Sequence, residues 1–259
     1  MELCQSWNKQ KRNNVPPLDT EGCPANDYQE LAYVFNEYFT NITNPTQTGN
    51  LKDDSSSAEN LNIVFNRPLG QIDLTPVTAQ EIKNIIRSLK WKTSSGYDEV
   101  PPKLLKLILQ YIISPLTYLC NKSLTSGIFP SWLKYSQVTP LFKKGSKSEL
   151  SNYSPISLLT SFSRIFEKVI YIRLVNQASM YNIISKVQYG FRTNLSTENA
   201  IYQLTNNILK ALDNKQLAGG TFCDLSKAFD CVDHETLLNI LEYYGVRGTA
   251  NKLIVLLGR

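Results

Sequence analysis

Three carboxylates stand close together in TFCDLSKAFDCVDHETLL (221–238): Asp224, Asp230 and Asp233. Asp224 ends GGTFCD (219–224), a run that reads as a short strand, and HETLLNILEYYG (234–245) follows at helical spacing, closed by Gly245. An aspartate between a strand and a helix has two readings. Its side chain can accept hydrogen bonds from the free amides of a helix start. It can equally be a hard oxygen ligand for Mg²⁺, held on a rigid strand end without the entropy cost of ordering a loop. Alternation puts Asp224 on the strand face of Phe222, with Cys223 opposite. The residues alone leave both readings open. Asp233 and His234 suit capping of the helix that begins near Glu235.

Other chemistries find less support. His234 is the only histidine, so no Ser-His or Cys-His pair stands within a matched set of motifs. The five cysteines, Cys4, Cys23, Cys120, Cys223 and Cys231, form no CxxC pair and no framework, and read as reduced thiols without a zinc site. GSKS (145–148) lacks the upstream glycine and the residue order of a phosphate-binding loop.

The elements that must position these residues can be read from periodicity. With 42% hydrophobic and 10% aromatic residues the chain can bury a core. Residues 1–77 read as a polar linker carrying one amphipathic helix at about 28–42, with Leu31, Val34, Phe35 and Phe39 on one side. Thr78 and Glu81 form a capping box ahead of Ile82, Ile85, Ile86 and Leu89. The stretch 102–127 predicts two packed helices parted near Ser114-Pro115 and ending at Gly127. SQVTPLF (136–142) predicts a strand followed by a turn, and 163–178 predicts a helix. The helix expected at 196–212 carries Ile201, Leu204, Ile208 and Leu212 on one side, and a last helix starts in NKLIVLLGR.

Net charge is +5, yet residues 79–192 hold 16 Lys and Arg against 5 Asp and Glu. A basic middle beside acidic flanks suits a surface facing phosphates, although an ordinary solvated surface has the same composition. No apolar run reaches the roughly 18–20 residues of a membrane span, and the N-terminus lacks the apolar region of a signal peptide. The expected location is intracellular, nucleus or cytoplasm, not secreted.

Four blocks together resemble one family. DLSKAFDCVDHETLL resembles the first palm motif of reverse transcriptases from non-LTR retrotransposons, the jockey-like and related LINE elements. VTPLFKKGSKSELSNYSPISLLTSFSRIFEK (138–168) resembles the family's finger block. VQYGFRTNLST (187–197) and SSGYDEVPPKLLK (94–106) resemble two further blocks, and all four stand in family order. The resemblance implies an α+β fold with right-hand polymerase architecture: helix-rich fingers over 78–215, and an incomplete antiparallel palm sheet over 216–259, without a thumb.

By the same resemblance, Asp224 matches the first metal-binding aspartate of a two-Mg²⁺ nucleotidyl transfer centre, and the Leu225 carbonyl adds a metal ligand. Phe229 matches the aromatic steric gate under the sugar. A plain core ring is the other reading of it. Asp230 mainly supports the turn. Lys143 and Lys144 follow a strand, where a hairpin could fold over a triphosphate or merely form a solvated turn. Gln188, Gly190 and Arg192 match the block near the template, with Arg192 suited to a phosphate and Gly190 to close backbone approach. Tyr153 suits packing better than base stacking. The implied partners are an RNA template, a DNA primer and deoxynucleoside triphosphates, with no membrane and no reading of oligomeric state.

Two departures from the family pattern stand out. Ser154 occupies the position of the family's arginine in N-Y-R-P-I-S, thought to clamp the incoming triphosphate. No aromatic-x-Asp-Asp block follows Asp224 before Arg259. The expectation is therefore a fragment of an RNA-directed DNA polymerase, truncated and unable to extend a primer alone. The alternative is a non-catalytic nucleic-acid-binding relic or co-opted protein using the basic middle. A helical protein-interaction module is a third class. It leaves the Asp224–Phe229 spacing unexplained.

Overall fold

Ile82, Ile85 and Ile86 recur at the spacing that brings them to one side of a helix, and that side is where the core forms. The computed structural model describes residues 28–41, 69–225, 228–229 and 231–258. Asp230 lies outside the described residues. Among them the fold is a mixture of helices with one small antiparallel sheet of two strands. The chain divides into two compact units, one of residues 1–174 and 230–259, the other of residues 175–229.

In the first unit, α1 (Tyr28–Asn41), α2 (Ala79–Ser88), α3 (Pro102–Leu107) and α4 (Leu109–Ser126) lead into β1 (Ser136–Phe142) and β2 (Tyr153–Leu159). Then α5 (Ser161–Met180) crosses the boundary between the units, and α7 (His234–Tyr243) and α8 (Thr249–Gly258) return to the first. The main core joins Ile82, Ile85 and Ile86 of α2 to Leu116, Cys120 and Leu124 of α4, Ile165, Phe166 and Val169 of α5, and Leu253 of α8. Phe129 meets Phe166 edge to face at 6.0 Å.

Thr78 caps α2 by accepting the Glu81 amide at 3.1 Å. Glu81 does not complete the box with its side chain. It pairs instead with Arg173 of α5, whose guanidinium also donates to the carbonyls of Thr75 and Pro76. The strap 69–77 is fixed further by Leu69 and Ile72 amides donating to Tyr243 and Gly245 carbonyls, over a small cluster of Ile72, Val246 and Ala250.

The break expected near Ser114-Pro115 falls instead at Ile108, between α3 and α4, and Pro115 lies within α4. A proline removes one helical amide and crowds the preceding turn. Here Pro115 sits on the exposed side, while Leu116 beside it is buried. Core packing on the other side holds the helix through it. Gly127 ends α4 in the left-handed region, φ +69°.

The hairpin pairs Ser136 with Leu159 through Phe142 with Tyr153, and sets Pro140 opposite Pro155. Opposed residues of an antiparallel pair exchange both hydrogen bonds or neither. Two prolines lack amides, so opposing them at a non-bonded pair costs the ladder nothing. Leu31 and Phe35 of α1 pack on Tyr153, with the Phe35 and Tyr153 rings 4.9 Å apart.

The second unit holds the end of α5, a loop, α6 (Thr197–Asp213) and an extended coil. Ser196 and Asn199 form a reciprocal capping box at the start of α6. The apolar side of α6, with Ile201, Leu204, Ile208 and Leu212, stays exposed. The strand expected at 219–224 is not formed: these residues are coil. A strand needs a neighbour to take its amides and carbonyls, and among the described residues only β1 and β2 pair.

Candidate functional site

Asp224 and Leu225 end the coil that leaves α6, and both are exposed. No hydrogen bond or ion pair to Asp224 occurs among the described residues. Asp224 is neither at a strand end nor at a helix start, so the capping reading does not apply to it. That role belongs to Asp233, whose Oδ1 accepts the Thr236 amide at 2.7 Å at the start of α7. This hydrogen bond holds the Asp233 carboxyl below its usual value.

A divalent magnesium ion takes six oxygens at near-octahedral geometry. Asp224 and the Leu225 carbonyl offer too few, and no cluster of three or more His, Cys, Asp or Glu that could hold a metal is present among the described residues. The described residues therefore do not by themselves fit a pair of Mg²⁺ ions.

Phe229 does have a partner. Its ring stands edge-on to Phe191, with centroids 6.0 Å apart at 90°. Both rings are largely open, at 77% and 87% exposure, so the core reading of Phe229 is not supported. Phe191 has φ +60°, a left-handed backbone that costs a bulky residue about 1 kcal/mol. Phe191 stands with Gln188, Gly190 and Arg192 in the block that resembles the family's template-side motif, where the sequence alone assigns it no role of its own.

The loop that carries Phe191 is tied by its own side chains. Gln188 Nε2 donates to the Gly190 carbonyl at 3.1 Å, and one terminal nitrogen of Arg192 donates to Ser185 at 3.0 Å and Gln188 at 3.4 Å. Arg192 pairs with no carboxylate among the described residues. Nothing lies within 4 Å of a side chain added at Gly190. Close backbone approach is found instead at glycines such as Gly96, where a Cβ would come within 2.8 Å of the Thr160 amide nitrogen.

Lys143 and Lys144 belong to the first unit, at the exit of β1, and both are exposed. Their turn is ordered by a dense set of bonds. The Lys143 amide donates to Asn152 at 2.9 Å, and Asn152 Nδ2 donates to Ser146 and Glu149, each at 2.9 Å. Gly145 makes the corner at φ +94°, where a side chain would collide with Asn152. Tyr153 is buried, as its packing role requires, and its hydroxyl donates to the Lys147 carbonyl at 2.9 Å. The turn is thus a braced platform for lysines rather than a loose loop.

Residues 142–256 match the family model described as reverse transcriptase (RNA-dependent DNA polymerase). This segment belongs to the reverse transcriptase family. The chain is 33% identical over 168 residues to the RNA-directed DNA polymerase from mobile element jockey of Drosophila melanogaster, covering 64% of this chain and 18% of that protein. It is 34% identical over 182 residues to the probable RNA-directed DNA polymerase from transposon BS of the same species, covering 68% and 20%. A third relative there, the probable RNA-directed DNA polymerase from transposon X-element, is 26% identical over 221 residues, covering 85% and 24%. The relatives agree with the non-LTR element type read from the motifs. The chain spans about a fifth of the length of the first two relatives. Every candidate residue from Lys143 to Phe229 falls inside the reverse transcriptase segment, whereas α1 to α4 precede it.

Proposed function

We propose that this chain forms the fingers, residues 78–215, and the opening of the palm, residues 216–259, of a right-hand RNA-directed DNA polymerase that copies mobile-element RNA into DNA. Its substrates are deoxynucleoside triphosphates, an RNA template and a DNA primer. Asp224 supplies one carboxylate, and Leu225 one carbonyl, to an Mg²⁺ ligand set completed by groups outside the described residues. Those ions would supply positive charge at the reacting phosphates. Phe229 bounds the sugar and crowds a 2′-hydroxyl. Lys143 and Lys144 neutralise triphosphate charge from their braced turn. Gln188, Gly190 and Arg192 face the template strand, with Arg192 on a phosphate.

The observation that carries this reading is the coincidence of residue type and order inside the family-matched segment. An exposed acid is followed five residues on by an exposed ring, and that ring touches the loop holding Gln188 and Arg192. The test is Asp224→Asn in a longer polymerase built to include this chain. Primer extension on RNA should fall by at least about a hundredfold with template affinity unchanged, the scale expected when a charge acting on the transition state is lost. Full extension by that variant would refute the assignment. Ser154→Arg in the same protein should lower the apparent nucleotide KM by restoring a bidentate charge, and an unchanged KM would count against the triphosphate role of this strand.

A further inference from the structure

α4 is apolar on two opposite sides. Leu116, Cys120 and Leu124 belong to the main core. Leu107 at the end of α3 and then Tyr111, Pro115 and Tyr118 follow at spacings of four, four and three residues, which line them up along the other side. The break at Ile108 does not derail this line, because the Ile108 and Ile112 amides still donate four residues back, to Leu104 at 3.1 Å and to Ile108 at 3.3 Å. Leu107, Tyr111 and Tyr118 are 62%, 74% and 64% exposed, and Pro115 is exposed with them. A helix with apolar side chains all round is one that packs on both sides. The core supplies one of those contacts, and the second stripe lacks its cover among the described residues.

Charge limits what the cover can be. No charged residue stands between Lys106 and Lys122. Lys106 is taken up by the Arg87 carbonyl, to which it donates at 2.9 Å. That leaves exposed Lys103 at one end of the stripe and exposed Lys122 at the other, a span of about 28 Å along a helix. Neither lysine pairs with a carboxylate among the described residues. A second copy of this chain fits poorly. Laid parallel it sets each lysine beside its own counterpart, and laid antiparallel it sets Lys103 beside Lys122. A membrane surface fits poorly too. A helix lying in a lipid interface carries cations along its polar face, whereas Gln110 and Ser114 flank this stripe. A foreign helix with an apolar stripe of its own meets both demands: its side chains interlock with the four on the stripe, and carboxylates at its two ends face the lysines.

We propose that Leu107, Tyr111, Pro115 and Tyr118 form a docking stripe for an amphipathic helix of a partner protein, with Lys103 and Lys122 receiving acidic residues at the two ends of that helix. The stripe lies before the family-matched segment and does not depend on the role of Asp224.

The test titrates the 259-residue chain into fluorescein-labelled helical peptides of about 20 residues, followed by anisotropy. The first peptide has leucines at helical spacing and glutamates at both ends. The second keeps the leucines and has lysines at the ends. The third keeps the glutamates and scatters the leucines. The acid-ended striped peptide should bind at least about tenfold more tightly than either of the others. The Tyr111→Ser/Tyr118→Ser variant should weaken that binding by about tenfold or more. Lys122→Glu should cut the preference for acidic over basic ends by at least about threefold. The comparison among peptides needs no variant, so it stands whether or not a substitution disturbs folding. The proposal is overturned if the acid-ended peptide fails to bind by about 1 mM, if either other peptide matches it, if the double tyrosine variant binds as the parent chain does, or if Lys122→Glu leaves the preference unchanged. Other occupants would also overturn it: a dimer in sedimentation velocity that the double tyrosine variant dissolves, or binding to phosphatidylcholine–phosphatidylserine vesicles that this variant abolishes.

Discussion

Arg173 is the tie on which the first unit should prove most sensitive. Its side chain is only 6% exposed and forms a fork with Glu81, itself 25% exposed. Its Nε and one terminal nitrogen reach the Thr75 carbonyl at 3.2 and 3.0 Å, and the same terminal nitrogen reaches Pro76 at 3.3 Å. One residue thus joins α5, the start of α2 and the strap ahead of it. Arg173→Ala would leave a poorly hydrated carboxylate and two carbonyls without donors. Breaking a buried pair by removing one partner costs about 3–5 kcal/mol, and the partial exposure of Glu81 puts the expectation at the lower end, about 3 kcal/mol. For a chain of this size that corresponds to a fall of roughly 6–12 °C in Tm. Arg173→Lys keeps a charge but not the fork, and should lose less. The Glu81→Ala/Arg173→Ala double variant should recover part of the loss, because no charge is left unpaired. Urea denaturation followed by far-UV circular dichroism measures all of these. A loss below about 1 kcal/mol for Arg173→Ala, or strict additivity in the double variant, would refute the reasoning.

Gly96→Ala should destabilise by about 1–3 kcal/mol, because the new methyl meets backbone at Leu159 and Thr160 that cannot turn aside; Gly190→Ala, with open space around it, should leave the denaturation midpoint unchanged. Burial outweighs the opposing Ser163 hydrogen bond and Arg164 charge and raises the Glu167 carboxyl above its ordinary value. The fold therefore binds this proton more tightly than the unfolded chain does, and the associated stability is present at acid pH and lost as pH rises through the raised value. Glu167→Gln should accordingly be more stable than the parent chain near neutral pH, with the advantage vanishing on acidification. Burial first, and the Glu81 charge second, push the Cys120 thiol up to about 12. At pH 8 its thiolate is on the order of one part in ten thousand, so peptide mass spectrometry after brief alkylation should find Cys223 and Cys231 modified and Cys120 intact.

Much of the first unit was legible because its rules are local. The Thr78 cap, the α2 stripe, the β1 boundaries and the Gly127 stop each follow from a few adjacent residues. The position of the break between α3 and α4 was not. A proline weighs against a helix by itself, but whether the helix survives depends on what the neighbouring residues bury. β2 was not read from the sequence, although YSPISLL carries one proline just as SQVTPLF does, and the register that opposes Pro155 to Pro140 makes both harmless. Tertiary choices also redirected Glu81, which the sequence offers to its own helix and the fold gives to Arg173.

The candidate site shows the opposite balance, and the cause is energetic. The candidacy of Asp224 and Phe229 was legible because few residue types can bind a metal or bound a sugar. Their placement was not, because placement comes from packing. Among the described residues the buried apolar side chains all lie in the first unit, whereas Leu217, Phe222, Leu225 and Phe229 are exposed. Side chains that contribute little to the folded state of this chain can be changed without unfolding it. Asp224→Asn should therefore shift the denaturation midpoint by no more than about 0.5 kcal/mol, as should Phe229→Ala beyond the loss of its edge contact with Phe191. A larger shift would mean that Asp224 holds structure, and loss of extension in the longer polymerase would then no longer report on its chemistry. Neutrality here is what makes a loss there interpretable.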